Sequence, residues 1–172
     1  MTEVLLTSET SVRQLLSISD NAAGQFVTVA IREAQEVDYR RVVGAALLAQ
    51  LKGLVATDAI RAPEYAEYKG LLDASQDYLA YQAAVRLIPR IQYKIANVGL
   101  FRASDDHAQP ASYDDTAAVT DSYRTVADAM RRDLQAYLLA HAAEFPELCE
   151  CHCREIRAQL NHSASCGIYL GA

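Results

Sequence analysis

Four cysteines and two histidines crowd the last quarter of the chain: Cys149, Cys151, Cys153 and Cys166, with His152 and His162 among them. Thiolate sulfur and imidazole nitrogen are soft donors, so the set could complete a tetrahedral zinc site. The spacing argues the other way. Zinc knuckles place two thiols as C-x2-C, so that one turn aims both at the metal; C-x-C-x-C without a glycine turn is unusual. In an extended chain the three close thiols share one face, whereas on a helix they spread around it. The expectation is reduced thiols partly packed in a C-terminal segment, with no metal and no cofactor. Cys149, Cys151, Cys153 and Cys166 stand as the candidates if a metal is held.

Asp105, Asp106 and His107 suggest a metal-dependent hydrolase centre at first sight. Adjacent carboxylates on a loop point in different directions, however, and no second acidic cluster has a matching spacing. They read as a solvated loop before a helix cap. His141 falls at the end of a long helical stripe, where a charged imidazole suits the helix dipole better than it suits a general base. No G-x-S-x-G motif offers a serine nucleophile to His107, His152 or His162. No glycine-rich phosphate loop is present either. Tyr65, Tyr68, Tyr78, Tyr81 and Tyr93 could stack on bases, but at helical spacing they read as core or interface. No enzyme is expected.

The elements that position these residues are mostly helical. Ser8 or Thr10 can cap a first short helix carrying Val12, Leu15 and Leu16. The SISDNAAG stretch (17–24) reads as a loop. A second helix carries Phe26, Val29, Ala30, Ala34 and Val37, with Asp38 as punctuation. A third carries Val43, Leu47, Leu51 and Leu54, and Gly44 marks a bend or a close approach. After the connector 56–63, a short helix is expected over 64–75. Another follows with Tyr78, Tyr81, Val85 and Ile88 on one stripe, widened by Leu79 and Leu87. Pro89 predicts a kink or restart there. IQYKI alternates and permits a strand, and NVGLF resembles a turn into a second one. Beyond a polar loop, Ser112 can cap the longest helix. Its first turn holds Asp114 and Asp115, and its stripe runs through Tyr123, Val126, Ala127, Met130, Leu134, Tyr137, Leu138 and His141. Pro146 ends it, and a flexible or extended tail with at most one short helix follows.

Composition agrees with this reading. The chain has 172 residues, half of them hydrophobic, with alanine and leucine abundant and only four prolines. That is one domain, large enough for a real core. A net charge of −6 argues against a general nucleic-acid binder, which needs a basic face to displace counterions. The N-terminal MTEVLLTSETS lacks a basic leader region, and VVGAALLAQLKGLVA is too short to span a bilayer. The expectation is a protein made in the cytoplasm, with no membrane partner.

The order of segments carries a resemblance over nearly the whole chain. LLTSETSVRQLLSISDN, IREAQEVDYRRVVGAALLAQL, YLAYQAAVRLIPRIQYKIANVGLFRASDDHAQPAS, FPEL and the closing GIYLGA together resemble the head–tail connector (adaptor) proteins of the neck of tailed phages. The most specific parts are I-R-E-A-Q-E (31–36), N-V-G-L-F (97–101) and G-I-Y-L-G (167–171). The CECHC segment departs from that pattern. The resemblance implies a small helical bundle that assembles as a ring, commonly twelvefold, under the portal. The ring extends the DNA channel and forms the platform for a tail or stopper protein. It also implies a C-terminal arm that pairs with the portal, here roughly residues 164–172. The arm's residues are Cys166, Gly167, Ile168, Tyr169, Leu170 and Gly171, with Ile168 and Leu170 as the anchors of an added strand. An acidic channel would let DNA slide through without specific binding.

The expected fold is therefore all-α, a helical bundle with a small β-hairpin-like element near 95–104 and an extended C-terminal arm. Residues 1–146 form the connector domain and 147–172 the arm. The expected function is a structural virion protein, made in the host cytoplasm and located in the neck. The alternatives are a tail-completion or head-closure protein of the same neck, or a small regulatory module using the cysteine cluster to bind zinc.

Overall fold

A computed structural model describes residues 4–16, 24–96, 99–102, 112–148 and 150–164, by backbone alone for 92–96, 99–102, 151 and 162–164. Ser8 opens the first helix, α1 (Glu9–Leu16), by accepting the Ser11 amide at 3.0 Å on its hydroxyl. Helix α2 (Gly24–Glu33) runs without a stop into a six-residue π-helix, Ala34–Tyr39, and then α3 (Arg40–Val43). Asp38 therefore does not punctuate the chain. A π turn takes more residues per revolution than an α turn, so the buried face slips in phase. Val37, expected on the apolar stripe, is 37% exposed, and Tyr39 is fully buried instead.

Gly44 ends that long helix with φ 86° and ψ 160°, a region open only to glycine. Helix α4 (Ala45–Ala56) follows and buries Leu47, Leu48, Leu51 and Leu54. Two 3-10 turns, Ala59–Arg61 and Pro63–Tyr65, lead into α5 (Ala66–Gln92). The two helices expected over this stretch are one helix of 27 residues. It passes Pro89 and ends three residues later. The proline sits in the last turn, where the missing N–H costs one bond and no further helix depends on it. β1 (Tyr93–Ala96) and β2 (Gly99–Arg102) pair antiparallel, Tyr93 opposite Arg102 and Ala96 opposite Gly99.

Helix α6 (Tyr113–Ala140) begins with a full capping box: Ser112 Oγ accepts from Asp115 N, and Ser112 N donates to Asp115 Oδ2 at 3.1 Å. A 3-10 turn, Ala142–Glu144, and helix α7 (Glu150–Ala164) complete the described chain. The fold class is all-α, a helical bundle. Helix α5 packs on α1, α2 and α6. Gly70 lies beside Tyr137, and Tyr81 contacts Tyr123 at 5.8 Å between ring centres, so α5 and α6 run antiparallel.

The core has two parts. One gathers Tyr39, Leu47, Leu51, Leu71, Leu79, Leu138 and Phe145, with Ile156 of α7. The other is smaller and alanine-rich, with Val12, Val27, Ile31, Ala80, Ala83 and Leu87. Of the expected stripe on α5, Tyr78, Leu79 and Leu87 are buried, together with Ala83, while Tyr81, Val85 and Ile88 lie half-buried. Alanine at these places lets neighbouring helices approach closely on two sides. Leu148, Cys153 and Ile156 belong to the core as well. Helix α7 is thus packed on the bundle through Cys153 and Ile156. Residues 165–172 lie outside the described residues.

Gly44→Ala isolates the backbone term, because an added Cβ would meet nothing nearer than the His152 ring at 3.8 Å. We expect a loss of about 1–3 kcal/mol in urea unfolding, from the strained φ alone.

Candidate functional site

Of the cysteine cluster, the structure describes one side chain. Cys153 is a free, buried thiol, 7% exposed, turned into the main core beside Leu148 and Ile156. Cys151 lies two residues earlier on the same helix, about 200° away around its axis. Cys149 and Cys166 lie outside the described residues, as do Asp105, Asp106, His107 and the arm residues Gly167, Ile168, Tyr169, Leu170 and Gly171. Among the described residues, no three His, Cys, Asp or Glu side chains gather closely enough to hold a metal. No described helix is long and apolar enough to cross a membrane.

The histidines hold structure together. Nε2 of His152 lies 2.8 Å from the carbonyl oxygen of Val42. The break at Gly44 leaves that carbonyl without a helical donor, and an Nε2–H of His152 supplies one. Its Nδ1 is 3.8 Å from Glu155. His141 stacks on Tyr137 with ring centres 4.3 Å apart and lies 2.9 Å from Glu144, which fits the expected helix-end role.

The tyrosines divide by depth. Tyr39 donates to Ser75 Oγ at 2.9 Å, and Ser75 donates to Leu71 O at 2.6 Å. Burial pushes the Tyr39 hydroxyl far above its ordinary value. Tyr68 packs edge-on against Phe145 and donates to the Glu147 carboxylate at 2.9 Å. Burial, then that carboxylate, push its hydroxyl up to about 12. Tyr81 is half-buried against Tyr123, and the side chain of Tyr93 lies outside the described set. None forms an open stacking platform among the described residues.

The I-R-E-A-Q-E segment makes the junction of α2 with the π-helix, and its glutamine is the anchor of the N-terminal chain. Gln35 is fully buried; its Oε1 accepts Leu6 N at 2.8 Å, and its Nε2 donates to Val4 O at 3.1 Å. Next to it, Lys52 donates to Glu36 at 2.7 Å and holds that carboxyl below its usual range. On the far side Arg86 bonds Asp38 at 2.6 Å and Arg90 bonds Glu33 at 2.5 Å, tying α5 to the helix from Gly24 to Val43. The structure also assembles a polar cleft that no spacing rule reveals, because its parts come from four distant stretches: Asp38 and Arg41; Tyr78 and Gln82; Arg131 and Gln135; and Gln159.

Gln35→Ala should cost about 1–3 kcal/mol for the stranded Leu6 amide alone, read from urea midpoints at unchanged slope. The raised Tyr68 value has a defined sign. A folded pKa above the unfolded 10 gives stability that is complete below pH 10 and is lost as pH rises through 12. Wild-type stability should therefore fall over pH 10–12, and Tyr68→Phe should fall less steeply, with Tyr39, Tyr78 and Tyr137 supplying the remaining slope.

No curated protein and no solved structure matches this chain. One family model does, over residues 39–158, which run from the end of the π-helix through most of α7 and cover more than half the chain. The chain belongs to that family, DUF6712, a family of unknown function.

Proposed function

We propose that this chain is a structural virion protein, a head–tail connector (adaptor) that forms a ring between portal and tail and extends the DNA channel. One observation carries the reading. The longest segment of the resemblance, from Tyr78 to Ser112, starts within one long helix and ends at the cap of a second, antiparallel one, in an all-α bundle, which supports a connector-like scaffold. Two rods of 27 and 28 residues, each about 40 Å long, suit a wall that must span a layer of the neck. Ile91, Tyr113 and Val119 are exposed near the ladder end of that pair and offer apolar contact between copies. The surplus of 22 acidic over 16 basic residues suits a channel that DNA must leave without sticking.

In this reading the ring is twelvefold and its partners are the portal above and a tail or stopper protein below. DNA passes through without specific binding. In this reading residues 164–172, which follow the bundle helix α7 in the chain, are the portal-binding arm. Cys166, Gly167, Ile168, Tyr169, Leu170 and Gly171 would add to a portal sheet edge.

Co-expression with the portal protein tests this. The full chain should co-purify with the portal, and native mass spectrometry should show twelve copies per complex. Removing residues 164–172 should abolish capture while leaving the helical melting curve in place. Capture that survives the truncation would reject the arm, and a full chain that never binds the portal would reject the connector reading.

A further inference from the structure

On the flank of the bundle, α3, α5, α6 and α7 close on a cleft of about 290 Å³. Its floor is polar yet deeply buried: Tyr78 is 1% exposed and Gln135 is 2% exposed. Gln82 Nε2 uses the Tyr78 hydroxyl as an acceptor, at a long 3.4 Å, so the phenol proton remains to be given away. Burial raises that hydroxyl above its ordinary value and keeps it a donor. Gln135 donates one amide hydrogen to Gln159 Oε1 at 2.6 Å and has a second to offer.

Two guanidinium groups stand at the rim. Arg41 makes no ion pair among the described residues. Among the described residues Arg131 is held only by Asp128 of its own helix, at 3.2 Å and 3.3 Å. The carboxylate in the lining, Asp38, is already engaged by Arg86 at 2.6 Å. Beside the side-chain carbonyls of Gln82 and Gln135, the lining therefore still offers the Tyr78 hydroxyl, a Gln135 amide hydrogen and the Arg41 guanidinium as donors, with Arg131 adding a second cation, on a chain whose net charge is −6. Buried donors without acceptors are costly, and charge-assisted bonds to an anion are the strong way to satisfy them. The volume lies just below the range of about 300–1,000 Å³ for sites that take drug-sized molecules, so a compact group fits better than a nucleotide.

We propose that this cleft binds one oxyanion group, a phosphate, sulfate or carboxylate, between Arg41 and Arg131 and above Tyr78 and Gln135. This holds whether or not the chain is a connector. The oxyanion has two sources of the same chemistry: a free ion, or the carboxylate of an Asp or Glu side chain on a second copy.

The test titrates inorganic phosphate into the full-length protein by calorimetry, with sodium chloride holding ionic strength constant. Wild type should bind one equivalent saturably. Arg41→Gln combined with Arg131→Gln should weaken binding at least ten-fold, with melting in chloride checking that the variant folds; Arg41→Gln alone should give an intermediate loss. Sedimentation in chloride separates the sources. Self-association that phosphate competes away, and that the double variant lacks, assigns the group to a second copy. A monomer that binds phosphate assigns it to a free ion. No saturable heat in wild type, or equal binding by the double variant, overturns the proposal.

Discussion

One helix face has to serve two cores. Toward its start α5 gives Leu71, Tyr78 and Leu79 to the main core, and further along it gives Ala80, Ala83 and Leu87 to the smaller one. No other described helix is placed in both to that extent. The constraint reaches outward: α2 can approach only because alanines face it, and α6 passes close because Gly70 leaves room for the Tyr137 hydroxyl. A protein interior is close-packed, so each such approach fixes the next. The ion pairs of Arg86 and Arg90 stand at the edge of this contact and are half-exposed; at such sites they align helices more than they stabilise them.

The polar groups sealed inside follow a different logic. Gln35, Tyr39 with Ser75, and Tyr68 with Glu147 each join segments far apart in the chain. A satisfied hydrogen bond contributes only about 1 kcal/mol net, while a broken one strands its partner at greater cost. These bonds therefore select one register more than they add stability. Thr116 and Thr120 satisfy their hydroxyls on the carbonyls one turn back within α6. Thr7 departs from the pattern, with a buried hydroxyl that has no partner among the described residues.

Much of the fold was legible, for identifiable reasons. The capping box at Ser112 and the stripe through Ala127, Leu134 and Leu138 are local signals, readable from spacing alone. The misread face of the second helix was not. A π turn leaves no mark in the apolar pattern, so Val37 was placed inside and Tyr39 was passed over. Tyr81 and Val85 yield their place to Ala83 because α5 is covered from several sides, which no single-helix stripe can reveal. The tail was read as extended because its helix is polar, yet Cys153 and Ile156 are enough to seat it. The polar cleft joins residues from position 38 to position 159, and only the fold makes them neighbours.

The bond between His152 and Val42 spans 110 residues of chain. Closing a loop of that length costs entropy that rises with the logarithm of its length, so such a contact forms only after shorter loops inside it have shrunk the effective span. The turn at Gly44, the α5–α6 pairing and the capping of α6 all lie within that loop. Helix α7 can settle on α6 across a much shorter span, through Gln135 and Gln159, 24 residues apart. Its bond to Val42 then closes over a bundle that is already in place, so that one contact reports on the register of everything between.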